Sequence, residues 1–521
     1  MQPSASLTGA QALVGTLADH GVTACFANPG TSEMHTVTAL DGEPRIRSIL
    51  GLFEGVVTGA ADGYARLGGN PSMTLLHLGS GYLNGGANIH NARRARSPMI
   101  NVIGDHATYH LTNDAPLTSN IGAMAEPNST WLRTAAAPED AGPLAAEAWH
   151  ASLSAPAGPV SLILPADVAW QSGALISEQL SAPVRRGPGA GAVERAARAV
   201  RSARSPAVLT TGSALTGAGL EAARRLAGTG VRVLFEFFFP RLQRGAGRYA
   251  PERMQYFAER VVESLDGTDV IVLAEAQSPV AFFAYPNHPC ELTPDSCEVI
   301  SLGGPETDSA ECLAQLADAL GATEADGARV SDLVIPDAPS GELTMQSIGL
   351  SIARHLPENA FVSDEAGTSV GPTWAATASA APHDWMPLTG GALGQGLPVA
   401  LGAAIAAPER KGLCLVGDGS AMYTNQALWT MAREGADVVT VVFVNRSYRI
   451  LNIELARTGA GAPGPTAQHL LSLSDPPIDY TGMARSMGVP ATTANTAHGF
   501  DDALAAAFAD DGPHLIAAEI A

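Results

Sequence analysis

Asp418 and Asn445 are a carboxylate and a carboxamide that follow two apolar runs, LCLV at 413–416 and VVTVVFV at 438–444, and they lie 27 residues apart. Runs this apolar read as strands buried on both faces. A strand-helix-strand unit of that length sets both side chains at one sheet edge. GDGS at 417–420 is a tight turn opening a helix, AMYTNQALWTMAREG, and its backbone N–H groups form an anion site. Carboxylate and carboxamide oxygens beside such donors suit a hard cation in octahedral oxygen ligation that bridges to a diphosphate. Each residue also has a plainer reading: Asp418 as a helix cap and Asn445 as a turn residue.

Other chemistry-bearing residues are scattered. Glu54 stands at the apolar entry GLFEGVV, either as a site carboxylate or as an exposed helix start. His77 in LLHLGSG ends an apolar run, as a proton relay or as a structural histidine. His106 and His110 in GDHATYH read as surface-loop histidines, or as a substitute relay. The Gly-rich strings DEAGTS at 364–369 and GGALGQGLPVALGAA at 390–404 would each alone fit a dinucleotide fold as well. Lys411 is the single lysine, in PERKGL before a strand, where a solvated role is expected and Schiff-base chemistry is not.

These residues need sheets to position them. Short β-branched runs alternate with Ala-rich amphipathic stretches along all 521 residues, which predicts an α/β protein with mainly parallel sheets flanked by helices. The linker-like stretches SAPVRRGPGAGAVE at 181–194 and VSDLVIPDAPSGELT at 330–344 divide it into three expected domains, 1–180, 190–332 and 343–521. Strands are expected at CFANPG, SMTLLHLGSG and PMINVIGD in the first third. AVLTTG, VRVLFEF, DVIVLAE and CEVISLG follow in the second, and NAFVSDEAG, GLCLVGDG, DVVTVVFVNRS and HLIAAEIA in the last. Ligands of open α/β sheets gather at the carboxyl ends of strands, so the residues closing these runs matter most.

A net charge of −21 leaves no basic surface for nucleic acid, and none is expected as a partner. The five cysteines lack metal-ligand spacing and are odd in number, which fits a reducing cytoplasm. No signal-like N-terminus or long apolar run is present, so neither export nor membrane insertion is expected.

With those residues in view, the chain resembles the thiamine-diphosphate-dependent superfamily of acetolactate synthase, pyruvate decarboxylase and benzoylformate decarboxylase. Gly-Asp-Gly at 417–419 followed by Asn445 resembles the family's diphosphate motif, with Val444 replacing the first residue of its Asn-Asn pair. The resemblance implies Mg²⁺ bound by Asp418, Asn445 and the Ser447 carbonyl, with Gly417, Gly419 and Ser420 lining the diphosphate. FANPGTSEMHTV, LFEGVVTGAADGYAR and LLHLGSGYLNGGANIHNARRARSPMINVIGD are similar to a pyrimidine-binding domain. Glu54 falls where the family keeps the glutamate that bonds the aminopyrimidine and exchanges its proton. Leu393 falls at the hydrophobe under the cofactor's bend, Gly391 at the carbonyl that accepts its 4′-amino group, and Gly367 and Thr368 at further diphosphate contacts.

His77 and Thr31 match an active-site histidine and a substrate-binding serine of benzoylformate decarboxylases; their second histidine has no counterpart in SPVAFFAYP at 278–286. Ile450, with Leu451 beside it, replaces a small residue, which favours short aliphatic 2-oxo acids. Pro116 and Leu117 stand where acetolactate synthases keep Phe-Gln, and FAD is not expected. The implied function is non-oxidative decarboxylation of a 2-oxo acid, carboligation of the resulting aldehyde unit, or both. Alternatives are a true acetolactate synthase and a nucleotide-binding regulatory protein with a vestigial site. A homodimer is the expected minimal active unit, and a homotetramer the expected assembly.

Overall fold

A computed structural model describes residues 6–286, 288–459 and 461–520. Three helix-flanked sheets follow one another along the chain. The first has six parallel strands in the spatial order Arg47–Leu50, Ala24–Asn28, Ser72–Leu76, Met99–Asp105, Pro159–Pro165 and Leu132–Thr134. The second has five, in the order Glu252–Arg253, Arg232–Phe235, Pro206–Thr210, Val270–Ala274 and Glu298–Gly303, again all parallel. The third has seven: Leu242–Arg244, His383–Pro387, Ala360–Glu365, Gly412–Gly417, Val438–Val444, His514–Glu519 and Ala491–Ala494. Only its first strand runs antiparallel, and it comes from the middle of the chain. The expected α/β class with mainly parallel sheets is therefore the fold.

Every apolar run expected as a strand forms one, and the central ones are buried along their whole length, as in Met99–Asp105 and Val438–Val444. Among the strands not anticipated are Pro159–Pro165 and His383–Pro387. In the second, HDWMP lacks β-branched residues, and its strand character comes from pairing with Ala360–Glu365 on one side and Leu242–Arg244 on the other. Residues 175–191 and 321–344 hold no helix or regular strand, apart from isolated bridges at Arg186 and Glu342.

One helical expectation is corrected. The stretch after GDGS is not a single helix: Asp418–Ala421 makes one turn, and a helix resumes at Ala427–Glu434. The interruption is held by Thr424, whose hydroxyl donates to the Gly394 carbonyl at 3.0 Å instead of sitting on a helix surface.

The first and third sheets are joined by two helices, Glu54–Gly68 and Gly396–Ala406, that cross at backbone contact distance. A Cβ at Gly63 would lie 2.1 Å from the Val399 carbonyl oxygen, and one at Gly402 would lie 1.7 Å from that of Ala60. Only glycine lets the two backbones approach this closely. Residues from both helices belong to one core with Phe26, Tyr82, Val416 and Val442, so the sheets share a hydrophobic interior. Among the described residues no helix is long and apolar enough to cross a membrane.

Candidate active site

The strands Gly412–Gly417 and Val438–Val444 are parallel neighbours with Gly417 opposite Phe443, which brings their carboxyl ends together. Asp418 is 3% exposed there. Its Oδ1 accepts the Gly419 N–H at 2.9 Å, and its Oδ2 accepts those of Asn445 at 3.0 Å and Arg446 at 2.5 Å. Arg446 reaches this position through a left-handed turn, φ 54°. The Asn445 Oδ1 accepts the Ser447 N–H at 2.9 Å, so carboxylate, amide oxygen and the next turn form one knot. Burial pushes the Asp418 carboxyl above its ordinary range, and the three N–H bonds oppose that.

This donor set fits a divalent hard cation. It offers oxygens only, one of them from a buried carboxylate whose desolvated charge a cation would offset, and three N–H bonds leave the carboxylate lone-pair capacity. With one charged ligand, the cation would take its remaining oxygens from a diphosphate and water. Gly419 also has a local reason: a Cβ there would lie 2.4 Å from the Tyr448 ring.

The loop between Thr389 and Gly396 is held from two sides. Glu365, at the end of its strand and buried, accepts the Gly394 N–H at 2.6 Å and the Gly396 N–H at 2.7 Å. Burial pushes its carboxyl up to about 7, against those bonds. From the helix Leu78–Ala95, Asn88 donates to the carbonyls of both Gly55 and Gly394, at 2.8 and 3.0 Å. Asn91 donates to the Ala392 carbonyl at 2.8 Å and accepts the Ala392 N–H at 3.2 Å. Gln395 donates to the fully buried Asp62 at 2.5 Å. Gly391, with φ 78°, and the partly buried Leu393 ride on this clamped loop.

Glu54 begins its helix and is 7% exposed. Asn84 donates to its Oε2 at 3.0 Å, while Oε1 carries no hydrogen bond among the described residues. His77 caps the helix Leu78–Ala95. Its Nδ1 meets the buried Glu33 Oε2 at 2.8 Å and the Ser32 hydroxyl at 3.2 Å. Glu33 also accepts the Gly30 N–H at 2.7 Å and the Ser32 hydroxyl proton at 2.7 Å. A Cβ at Gly30 would lie 2.2 Å from His77 Nδ1, so NPG is a glycine turn because the imidazole occupies that space. Glu33 fixes the ring through Nδ1, which leaves Nε2 to hold or move a proton. Gly81 joins the two groups, since a Cβ there would stand 3.2 Å from Glu54 Oε1 and 3.4 Å from the His77 Cβ.

Residues 7–124 match the thiamine pyrophosphate enzyme N-terminal TPP binding domain, and residues 365–518 match the C-terminal TPP binding domain. A Mycobacterium tuberculosis protein named provisionally as an acetolactate synthase large subunit, IlvX, is 51% identical over 517 residues, 98% of each chain. The chain belongs to the thiamine pyrophosphate enzyme family. Benzoylformate decarboxylase of Pseudomonas aeruginosa is 28% identical over 530 residues, covering 95% of this chain and 96% of that one. The thiamine diphosphate-dependent 4-hydroxybenzoylformate decarboxylase of Rhodococcus jostii RHA1 matches the fold with a TM-score of 0.86 at 22% identity, covering 98% of this chain and 99% of that one.

In this thiamine pyrophosphate enzyme the remaining expected residues are placed as follows. Thr31 opens a short 3-10 turn beside Glu33 and is exposed. Gly367 and Thr368 form the turn that follows Glu365. Pro116 and Leu117 are exposed in the loop that leads to Ser119, whose hydroxyl a Cβ on Gly79 would meet at 2.2 Å. Ile450 is partly buried and Leu451 47% exposed on the helix Arg449–Arg457, which leaves directly from the Asp418 knot. His106 and His110 face one another at 5.6 Å, and neither bonds to His77 or Glu54 among the described residues.

Sequence reasoning missed Glu33, Asn84, Asn88, Asn91 and Glu365. In NPGTSE the sequence marks Glu33 only as an acid, with no sign of the imidazole it meets. The asparagines of LNGGANIHNAR recur at 84, 88 and 91, helical spacing that places them on one face.

Proposed function

We propose that this enzyme binds thiamine diphosphate through Mg²⁺ and uses it for non-oxidative decarboxylation of a 2-oxo acid, with release or carboligation of the resulting aldehyde unit. The observation that carries the reading is the Asp418 knot, a buried carboxylate joined to Asn445 at a sheet edge, in one chain with a buried Glu54 whose Oε1 is unengaged. When bound, the cofactor supplies the nucleophile for the 2-oxo carbon and the sink for the electron pair that CO₂ leaves behind.

Asp418, Asn445 and the Ser447 carbonyl would hold the metal, with Gly367, Thr368, Gly417, Gly419 and Ser420 around the diphosphate. Gly391 and Leu393 would orient the ring end, on a loop fixed by Glu365, Asn88 and Asn91. Glu54 would exchange a proton at Oε1 as general acid and base, with Asn84 holding its other oxygen. His77 would hold or give a proton at Nε2, oriented by Glu33, with Thr31 beside it against the substrate. Pro116, Leu117, Ile450 and Leu451 would line the acyl pocket, and Ile450 narrows it toward short aliphatic substrates.

The homodimer is the proposed minimal unit. Exposed apolar side chains flank both halves of the site: Leu52 at 48% and Leu83 at 58% near Glu54, and Met422 at 38% and Tyr423 at 50% after the Asp418 turn. Apolar surface concentrated at two half-sites is what a second copy would bury. A homotetramer would pair two such dimers.

Acetolactate formation is the second reading, favoured by the name of the 51% identical relative. One experiment separates them: protein loaded with thiamine diphosphate and Mg²⁺ is given a panel of 2-oxo acids while CO₂, aldehyde and acetolactate are followed. Aldehyde or mixed ligation products with CO₂ release are expected. Acetolactate as the sole product from pyruvate favours the second reading, and no CO₂ from any member of the panel overturns both.

A further inference from the structure

The seven-stranded sheet has a second polar end, at the amino ends of its strands and opposite the Asp418 edge. A cleft of 440 Å³ opens there, walled by residues 241, 243, 248, 357–359, 382–384 and 409–411. That volume falls within the range of small-molecule sites, about 300–1,000 Å³. The strand Ala360–Glu365 separates the two ends by six residues, roughly 20 Å at the rise of a strand. The cleft is therefore not part of the candidate active site.

Its charge is unusual for this protein. The chain carries 30 basic and 51 acidic residues, yet Arg241, Arg248, Arg410 and Lys411 all line this one cleft. Three of the four are committed. Arg241 and Arg410 share a single carboxylate, Asp384, each at 2.6 Å, which leaves that triad one positive charge in excess. Lys411 pairs with Asp437 at 2.7 Å.

Arg248 is the exception. It is partly buried on a turn whose Gly245 and Gly247 have φ 99° and 72°, and its backbone is held by bonds to Gly245 and Ser331. Its guanidinium makes no hydrogen bond or ion pair among the described residues, in a chain of net charge −21. The acids at the mouth, Glu358 and Glu409, are exposed. They disfavour a large polyanion and leave room for a small one.

His383 forms part of the cleft wall and is 4% exposed. Its Nδ1 lies 2.7 Å from the Ala381 carbonyl, so Nδ1 must carry the proton. Nε2 is then closed off from the cleft, so the imidazole is part of the wall and not a contact for what enters it. A second free donor lines the cleft at Gln243: its oxygen accepts the Gly217 N–H at 2.8 Å, and its NH₂ remains free to donate.

We propose that this cleft binds a small oxyanion, the carboxylate or phosphate of a metabolite, anchored by Arg248 and backed by the Arg241–Asp384–Arg410 triad.

The test uses the holoenzyme, loaded with thiamine diphosphate and Mg²⁺ so that the diphosphate site is filled. Inorganic phosphate, malonate and glycolate are titrated separately by calorimetry, the phosphate arm against the two carboxylate arms identifying the headgroup. At least one probe is expected to bind saturably. Arg248→Ala should weaken it at least about tenfold and Arg248→Glu should abolish it. Because the Arg248 guanidinium makes no bond within the chain, both variants should keep the wild-type melting temperature without ligand and the wild-type turnover. No saturable binding by any probe, or equal binding by wild type and both variants, overturns the proposal.

Discussion

The Asp418 corner and the His77 corner both lie at carboxyl ends of parallel strands, yet they are assembled over different distances along the chain. Asp418, Asn445, Arg446 and Ser447 fall within one strand-helix-strand unit, and the contacts among them run through backbone N–H groups. His77, Glu33 and Gly30 follow the carboxyl ends of two neighbouring strands of the first sheet, and Glu54 and Asn84 lie on two helices beside them. Their bonds run mainly through side chains. The first corner thus needs two particular acceptors, Asp418 and Asn445, met by backbone donors that any residue supplies, whereas the second depends on particular side chains on both sides meeting across 30 to 45 residues of chain.

The largest expected effect tests whether the second corner carries the proton chemistry. Glu54→Gln should lower turnover about 10²- to 10⁴-fold, while thiamine-diphosphate binding and the circular dichroism spectrum stay unchanged; near-normal turnover would remove Glu54 from the mechanism. The first corner should respond in the opposite way. Asp418→Ala is expected to weaken cofactor binding by about 100-fold or more in Mg²⁺-supplemented titrations, and undiminished affinity would mean that the knot is only structural.

Glu365 offers a pH test of the clamp joining the corners. Burial holds its folded-state carboxyl up at about 7, above the ordinary carboxylate value. Its stabilising contribution is therefore complete below the ordinary carboxylate range and is lost as pH rises through about 7, a loss of up to about 3 kcal/mol. Melting temperatures of the cofactor-free protein between pH 4 and pH 8 should fall more steeply for wild type than for Glu365→Gln. Parallel curves would assign the pH dependence elsewhere.

Glu33→Gln keeps the size of the side chain and removes its charge. It should cost about 1.5–3 kcal/mol of transition-state stabilisation if Glu33 works by orienting His77, with the pH profile of kcat displaced. Combined with His77→Ala it should add little further loss, because the pair acts as a unit; full additivity would separate the two residues. The smallest effect is expected at Ile450, where Ile450→Ala should raise kcat/KM for benzoylformate relative to pyruvate by about tenfold. A wild-type preference for benzoylformate would already contradict a pocket narrowed by Ile450.

The contrast between corners also explains what could be read in advance. Asp418 and Asn445 were legible because each follows an apolar run, and a parallel sheet places the ends of adjacent runs together. Glu54 and His77 were singled out, but Glu33 was not, since nothing in NPGTSE tells that its acid is buried against an imidazole contributed 44 residues later. The break at Thr424 was invisible for the same reason: its partner, the Gly394 carbonyl, belongs to another loop. HDWMP at 383–387 lacked strand propensity and became a strand because two neighbours supplied its hydrogen bonds.

By itself the sequence determined the α/β class, the run order of most strands and the carboxylate-carboxamide pair at 418 and 445. These depend on periodicity and on spacing within one supersecondary unit, which local physics controls. Only the tertiary structure decided that Glu33 holds His77, that Asn88 and Asn91 clamp the 389–396 loop, and that Gly63 and Gly402 let two helices touch. Those facts depend on which distant segments pack together, and on hydrogen bonds whose partners no local pattern names.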